Sequence, residues 1–231
     1  MPIIIAENDL LIAVDKPAGL IVHNDGRTKE ASLADWIAER YPHMRGIGGD
    51  WISPQGEHIA LNGLVHRLDR STSGVLIAAK TQAMFDYLRD LFKNRQVEKK
   101  YLAWVYGRLS QEKGRVVAEI MRSPEPPKHW YARPTIESDP RAAITDWKLL
   151  RIKESASLLE VIPRTGRTHQ IRVHMAYLGC PVVSDHLYAP DWKQLFGFTR
   201  PALHAESISF ILPSGAHALY TAKLPPDFAN I

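Results

Sequence analysis

The chain mixes short strand patterns and short helix patterns in an irregular order, and this feature most constrains its fold. Apolar residues at helical spacing mark Ser32–Tyr41 and Gln82–Phe92 as amphipathic helices. Short apolar or alternating runs predict strands at Leu10–Val14, Leu20–His23, Gly74–Ala79, Lys100–Tyr106, Leu158–Ile162, Ser207–Leu212 and Ala218–Ala222. Because strands and helices do not follow the regular alternation that parallel sheets require, we predict an α+β fold with a largely antiparallel sheet.

Two later segments carry strong backbone signals. Five prolines lie within Ser123–Pro140, which predicts a long irregular loop on the surface. Thr168 is a candidate cap for a helix that runs to Leu178. That helix should end at Gly179, because a glycine followed by a proline, here Pro181, is typical of helix ends.

Size and composition are those of an ordinary globular protein. The 231 residues are enough for one domain or for two lobes that share a core, and the net charge of +4 is compatible with a nucleic-acid partner. Cys180 is the only cysteine, which excludes an internal disulfide and a cysteine-based zinc site. The apolar runs are too short to cross a membrane, and the first residues lack a basic signal segment. We therefore predict a cytoplasmic protein.

The segment His66-Arg67-Leu68-Asp69-Arg70-Ser71-Thr72-Ser73-Gly74 places a carboxylate between two arginines, just before a buried strand. Neighbouring cations favour the ionised form of a carboxylate, and an ionised carboxylate is a competent nucleophile or base. The same cations, and His66 beside them, could also hold phosphates. The alternative interpretation is a capped turn with an ordinary surface ion pair.

Two further segments combine basic residues with groups that suit nucleic acid. Tyr101 follows Lys99 and Lys100, and a tyrosine beside lysines suits stacking on a base while the lysines attract the backbone. The alternative is a plain core tyrosine. Arg164–His174 contains five basic residues and no acid at a strand-to-helix junction, which predicts a phosphate site. The alternative there is a solvated basic helix end.

Within Arg164–His174 the candidate ligands are Arg164, Arg167, His169 and Arg172. His169 and Arg172 are three residues apart and should share a helix face. His169 and His174 are five apart, so they do not form the histidine pair at four-residue spacing that binds zinc.

Taken together, the segments resemble the RluA family of pseudouridine synthases. HRLDRSTSG, KKYLAWVYG and RTGRTHQIRVHMAYLGCPVVSDHLY occur in the family's order, and DKPAGLIVH and LHAESISF match further family blocks. The resemblance runs from about residue 8 to the end. It implies a pseudouridine synthase fold, with a central, mainly antiparallel sheet in two lobes and a catalytic cleft. It also implies an isomerase that converts chosen uridines of structured RNA to pseudouridine without a metal or an organic cofactor.

The resemblance assigns roles by position. Asp69 is the expected catalytic aspartate, Tyr101 the tyrosine beside the target base, and Arg172 the arginine that pairs with the aspartate. Arg67 is expected to help fill the gap left by the flipped base. The sequence departs from the family pattern at Cys180, where histidine is common, and at Ser184, where glycine is usual. Both departures bear on local loop geometry rather than on activity.

The build resembles the short form of the family, so we predict a single catalytic domain over residues 1–231, with no N-terminal accessory RNA-binding domain. That branch implies a tRNA anticodon stem-loop, a 23S rRNA hairpin, or both, as substrate. We further predict a monomer that needs only an RNA hairpin, with no guide RNA.

The reaction itself leaves alternatives open. It breaks the bond from C1′ to N1, rotates the uracil and rejoins it through C5. Asp69 could attack C1′, attack C6, or remove a proton from C2′, and Tyr101 or water could take the last proton from C5. One rival function is a carboxylate-dependent nucleoside hydrolase, which usually needs a second carboxyl that this segment lacks. Another is a non-catalytic RNA-binding module, which would not need Asp69.

Overall fold

The computed structural model describes residues 1–24, 30–53, 56–125 and 129–229. The chain forms two compact units. The first contains Met1–Val97 and Glu206–Lys223, and the second contains Glu98–Ala205 and Leu224–Ile231. Each unit contains its own hydrophobic cluster.

Twelve strands and four α-helices make up the described part of the chain. The strands are β1 (Ile3–Glu7), β2 (Leu11–Lys16), β3 (Asp50–Ile52), β4 (His58–Ala60), β5 (Ser73–Ala79), β6 (Glu98–Tyr106), β7 (Lys113–Arg122), β8 (Trp130–Pro134), β9 (Ala142–Lys153), β10 (Ala156–Pro163), β11 (Leu203–Ile211) and β12 (His217–Thr221). The helices are α1 (Leu33–Arg40), α2 (Gln82–Lys93), α3 (Gln170–Tyr177) and α4 (Pro226–Ala229), with a 3-10 turn at Pro42–Met44.

In the first unit, β2 pairs antiparallel with β1 on one side and with β5 on the other. Strands β11 and β12 form an antiparallel pair, as do β3 and β4. All seven residues of β5 are buried, as its continuous apolar run predicts. Helix α2 starts where the Thr81 hydroxyl accepts the Met84 N–H at 3.2 Å, and it buries the predicted stripe of Met84, Leu88 and Leu91.

Helix α1 begins at a capping box. The Ser32 hydroxyl accepts the N–H of Asp35, and the Asp35 carboxylate accepts the N–H of Ser32. This reciprocal pair satisfies two backbone donors that the helix cannot satisfy by itself. The helix then buries Leu33, Ala34 and Ile37, in agreement with the predicted amphipathic pattern.

In the second unit, five strands pair antiparallel in the order β6, β10, β9, β7, β8. Residues Leu102–Tyr106 of β6 are all buried, so side chains on both faces of that strand are covered. Helix α3 contacts β7, β8, β9 and β10. Together the two units confirm the predicted α+β class with antiparallel strand pairing.

One loop prediction and one strand prediction are wrong. Within Ser123–Pro140, residues Trp130–Pro134 form β8 rather than loop, because β7 offers them a complete row of backbone partners. Proline tolerates this place because it ends a strand at the edge of the order given above. Pro126 and Pro127 lie outside the described residues. Leu20–His23 is not a strand, since only Ile21 makes an isolated bridge, to Ser32.

The predicted start of α3 is also wrong, whereas its end is confirmed. The helix begins at Gln170, and the capping position belongs to His169 in a left-handed conformation (φ 54°) without a side-chain cap. Thr168 therefore does not cap it. The backbone leaves the helix at Gly179 with φ 74°, where glycine relieves the strain. Cys180 is buried directly after, and burial raises the pKa of its thiol to about 11. No helix in the described ranges is long and apolar enough to cross a membrane.

His174 should make the stability of the second unit depend on pH. Burial lowers the pKa of this imidazole to about 4, and its Nδ1 lies 2.9 Å from the Thr145 hydroxyl. Between about pH 6.5 and about pH 4 the unfolded chain takes up a proton that the folded chain does not. The contribution of His174 to the free energy of unfolding is therefore fully present above that window and falls by about 3 kcal/mol as the pH drops through it.

Urea unfolding from about pH 7 to about pH 4 checks this expectation. His174→Gln should flatten the pH dependence in that window. The exposed His58, changed to Gln, is the matched control and should retain it. Parallel curves for wild type and His174→Gln would contradict the account.

Candidate active site

Asp69 lies on the connection that leads into β5, where it is half-buried. Its backbone carbonyl accepts the Thr72 N–H at 3.1 Å, which closes a tight turn around the carboxylate-bearing residue. Because the following strand is fully buried, the turn is anchored at its C-terminal end. The sequence prediction of a carboxylate on a connection before a buried strand is confirmed.

A buried lysine fixes the other side of this turn. Lys16, at the end of β2, is fully buried, and its ammonium donates to the carbonyls of Pro17 (3.0 Å), Leu20 (2.8 Å) and Arg70 (3.3 Å). The Gly19 N–H donates to the same Arg70 carbonyl at 2.8 Å. The Lys-Pro-Ala-Gly turn and the Asp69 segment are thus bonded together at the residue after the aspartate.

The three basic residues around Asp69 have different surroundings. His66 stacks on Phe92 with ring centroids 4.8 Å apart, and its Nε2 accepts the Ile77 N–H at 3.0 Å. His66 therefore supports β5, and this structural contact occupies Nε2. Arg67 is exposed. Arg70 is exposed as well and pairs with Glu30.

In the second unit, Tyr101 is half-buried on β6 and packs against the unit's hydrophobic cluster. Lys99 is also half-buried, and its ammonium lies 3.5 Å from the Thr165 carbonyl. Burial lowers the pKa of Lys99 to about 8, so its ammonium group loses its proton more readily than that of an exposed lysine. Lys100 lies 3.8 Å from Glu98 and 3.9 Å from Glu160, which places it in a surface ion network.

Gln170 organises the loop that precedes α3. Its Oε1 accepts the Thr165 hydroxyl at 2.7 Å and the Arg167 N–H at 3.0 Å. Its amide nitrogen donates to the Ile144 carbonyl and the Thr145 hydroxyl, both at 3.0 Å. Both donors and both acceptor sites of this buried amide are therefore used, as a buried polar group requires. The backbone N–H of Arg167, which precedes the helix, therefore already has a hydrogen-bond partner inside the protein.

The two arginines of this loop differ in how available they are for a phosphate contact. The Arg164 Nε donates to Asp146 at 2.7 Å. Arg115 and then Arg164 hold the pKa of that carboxyl below its usual range. Arg167 is exposed, and its guanidinium donates to the Pro140 carbonyl at 3.4 Å. Of this pair, Arg167 is the better candidate for a phosphate contact.

Arg172, in the first turn of α3, is buried and held by a carboxylate from its own unit. Its Nε donates to one oxygen of Asp185 at 2.6 Å and its Nη2 to the other at 2.8 Å. The Asp185 side chain is completely inaccessible to solvent. The same carboxylate accepts the N–H groups of Leu187 at 3.1 Å and Tyr188 at 3.3 Å. Two-point pairing fixes the plane of the guanidinium.

Tyr188 connects Arg172 to the preceding loop. The Arg172 guanidinium carbon lies 5.1 Å from the centre of the Tyr188 ring, within cation–π distance. The Tyr188 hydroxyl lies 2.9 Å from His169 Nδ1 and accepts the Trp130 N–H at 3.3 Å. His169 and Arg172 therefore meet the same tyrosine, which agrees with their predicted common face.

The structure groups the predicted residues by unit. His66, Arg67, Asp69 and Arg70 belong to the first unit, and the other predicted site residues belong to the second. The predicted pairing of Asp69 with Arg172 stays a prediction. Sequence reasoning missed Lys16, Gln170, Asp185 and Tyr188 as site residues. A signal for Asp185 was available, because a buried arginine requires a carboxylate.

Two further findings concern metal ligands and a cavity. No group of three histidine, cysteine, aspartate or glutamate side chains in the described ranges could hold a metal ion. A cavity of about 570 Å³ in the second unit is lined by residues of β7, β9 and β10. Its lining contains none of the predicted site residues.

Comparison with known proteins identifies a family for most of the chain. The model for RNA pseudouridylate synthases matches residues 10–177. A ribosomal large subunit pseudouridine synthase D of Xanthomonas campestris is 34% identical over 240 residues, covering 99% of this chain and 67% of that protein. An uncharacterized RNA pseudouridine synthase of Bacillus subtilis is 32% identical, covering 97% of this chain and 70% of that protein. The chain spans about two thirds of the length of these relatives.

Solved structures give the same result. Human RNA pseudouridylate synthase domain containing 4 matches with a TM-score of 0.71 and 25% identity, over 98% of this chain and 90% of that chain. Human RNA pseudouridylate synthase domain containing 1 matches with a TM-score of 0.66 at 24% identity, over 100% of this chain and 93% of that chain, a likeness that concerns the fold alone.

Replacing Lys16 by methionine should destabilise the Asp69 segment. The change removes the Lys16 donor from the carbonyls of Pro17 and Leu20 and leaves the Arg70 carbonyl with the Gly19 N–H, at a cost on the order of 3 kcal/mol. Urea unfolding measures the loss. Lys93→Met is the control, because that side chain is exposed at the end of α2 and should matter much less. Equal stability of the two variants would contradict the role of Lys16.

Proposed function

This chain belongs to the RNA pseudouridylate synthase family and is an RNA pseudouridine synthase, an isomerase; on that premise we propose that Asp69 carries out the isomerisation. The observation that carries this assignment is the position of Asp69 in the HRLDRSTSG segment, inside the matched residues 10–177. A tight turn, the buried ammonium of Lys16 and the buried strand β5 all hold that segment. A carboxylate on such a support is pre-organised for reaction.

The proposed chemistry begins with removal of the uridine from the base stack, which costs a few kcal/mol. Exposed cations such as Arg167 bind phosphates and offset this cost, while the Tyr101 ring stacks beside the base. Asp69 then promotes cleavage of the bond from C1′ to N1. The uracil rotates and rejoins through C5. N1 gains a proton and C5 loses one, so the isomerisation needs no co-reactant.

The roles of the individual residues follow from this proposal. Asp69 acts on the sugar or the ring, Arg172 pairs with it, and Tyr101 or water receives the proton from C5. Arg67 occupies the gap that the flipped base leaves. Lys99, with its pKa lowered to about 8, serves mainly to hold the Thr165 carbonyl rather than to bind phosphate directly.

The proposed substrate is a hairpin in ribosomal large-subunit RNA, with a tRNA anticodon stem-loop as the second candidate. The first choice is supported by relatives named ribosomal large subunit pseudouridine synthase D, which are 34% identical in Xanthomonas campestris and 35% in Nitrosomonas europaea. The second is supported by the resemblance to the short form of the family. We further propose a monomer that works in the cytoplasm without a guide RNA.

Incubation with unmodified cellular RNA tests the function directly. Pseudouridine mapped at a defined position supports the proposal and identifies the substrate. Release of free uracil would instead favour a nucleoside hydrolase. Binding without any change to the RNA would favour a non-catalytic module.

Asp69→Asn should abolish pseudouridine formation while leaving RNA affinity within a few fold, because affinity comes mainly from phosphate contacts and the change removes no cation. Single-turnover assays and filter binding measure the two quantities. Asp90→Asn, an exposed carboxylate of α2 in the same unit, is the control and should remain active. Turnover by Asp69→Asn at the wild-type rate would remove the catalytic assignment.

Arg167→Ala should weaken different RNAs alike and make binding less sensitive to salt. A phosphate contact contributes about 0.7 to 0.9 to the slope of log affinity against log salt concentration, so the slope should become shallower by that amount. Arg89→Ala, which removes an exposed arginine of α2 paired with Asp86, should leave the slope unchanged. An altered choice of uridine with an unchanged slope would show that Arg167 reads sequence instead.

A further inference from the structure

Arg172 contacts two side chains of its own unit, Asp185 and Tyr188. We infer that Asp185 and Tyr188 are positioning residues for the reaction, which hold the Arg172 guanidinium in one orientation and connect it to His169. The inference rests on the proposed role of Arg172 beside Asp69. It adds two residues and a connection that the sequence motifs did not assign.

The first observation is the geometry of the Asp185 contact. Both carboxylate oxygens bond the Nε and Nη2 atoms of Arg172, at 2.6 and 2.8 Å. The Arg172 side chain is 8% exposed and that of Asp185 is 0% exposed. A long, flexible arginine side chain normally occupies many conformations. A buried two-point bond removes that freedom before substrate arrives, and it fixes the direction of the remaining guanidinium edge.

The backbone around Asp185 is built to present this carboxylate. Ser184 adopts a left-handed conformation with φ 56°, which explains why the related family usually has glycine at this place. The chain then turns so that the N–H groups of Leu187 and Tyr188 point at the Asp185 carboxylate. These two bonds fix the orientation of the carboxylate.

The second observation is the double use of Tyr188. One face of its ring lies against the Arg172 guanidinium, and its hydroxyl lies 2.9 Å from His169 Nδ1. The hydroxyl oxygen also accepts the Trp130 N–H at 3.3 Å. His169 lies in the segment Arg164–His174, which is predicted to bind phosphate. If RNA displaces that segment, the Tyr188 ring would therefore transmit the movement to Arg172.

Asp185→Asn tests the first half of the inference. One carboxylate oxygen is replaced by an NH2 group, a donor that faces the arginine, so the two-point bond is lost. We expect a single-turnover rate lower on the order of 100-fold, as for a misplaced group, with RNA affinity within about twofold. The matched control is Asp227→Asn, because Asp227 makes a similar two-point bond, to Arg200 at 2.8 and 3.0 Å, in the same unit.

Stability and orientation are separated by two further measurements. Thermal melting reports whether Asp185→Asn loses more stability than Asp227→Asn. The side-chain Nε–H resonance of Arg172 reports the bond itself and should be protected from exchange only when Asp185 is present. A wild-type rate for Asp185→Asn, or a rate loss no greater than that of Asp227→Asn, overturns the positioning role.

A double-mutant cycle tests the connection through Tyr188. Tyr188→Phe keeps the ring beside Arg172 but removes the hydroxyl, and we expect a rate about fivefold lower, the factor for one neutral hydrogen bond. His169→Ala in the Tyr188→Phe background should add little, because both changes break the same contact. Fully additive losses overturn the connection.

Arg172→Lys, assayed beside these variants, separates this inference from the proposed function. Full activity of Arg172→Lys would remove the proposed role of Arg172, and with it the inference. Impaired Arg172→Lys together with fully active Asp185→Asn would overturn only the inference.

Discussion

The buried ammonium of Lys16 is the interaction on which the Asp69 segment depends. A charge without any access to water is costly unless nearby dipoles replace its hydration. Here the carbonyls of Pro17, Leu20 and Arg70 provide those dipoles. Because the carbonyls come from two distant parts of the chain, the charge is satisfied only when both are in place. The reactive segment is thereby held by electrostatics rather than by apolar packing alone.

The second unit applies the same principle with different groups. Arg172 is a buried cation that requires Asp185, and Gln170 is a buried amide that requires four partners. The amide nitrogen of Gln170 is satisfied by Ile144 and Thr145, and Arg172 pairs with a carboxylate that follows the helix, so these bonds tie the helix to a strand and to a later loop. Polar groups in this unit therefore specify one arrangement of α3, whereas its apolar residues would tolerate several.

Local patterns predicted most of the fold because they depend on neighbouring residues. The buried run of β5, the stripe of α2 and the helix end at Gly179 are all readable from spacing. Strand β8 and the true start of α3 were missed, because each depends on partners elsewhere, β7 for the strand and Ile144 for Gln170. Asp69, Tyr101 and Arg172 are predicted from motifs, whereas contacts such as those of Lys16 and Asp185 join residues that are not neighbours in sequence and are seen only in the structure.

Strand β11 imposes an order on the making of this protein. The hydrophobic cluster of the first unit includes Ile208 and Phe210 from β11 and Ala218 from β12. A ribosome extends the chain from its N-terminus, so it must deliver all of Glu98–Ala205 before these residues emerge. The first unit, although it begins first, therefore stays incomplete until nearly the whole chain has been made. Until then its nascent part exposes apolar surface, which makes chaperones and the speed of translation relevant to how much active enzyme a cell obtains.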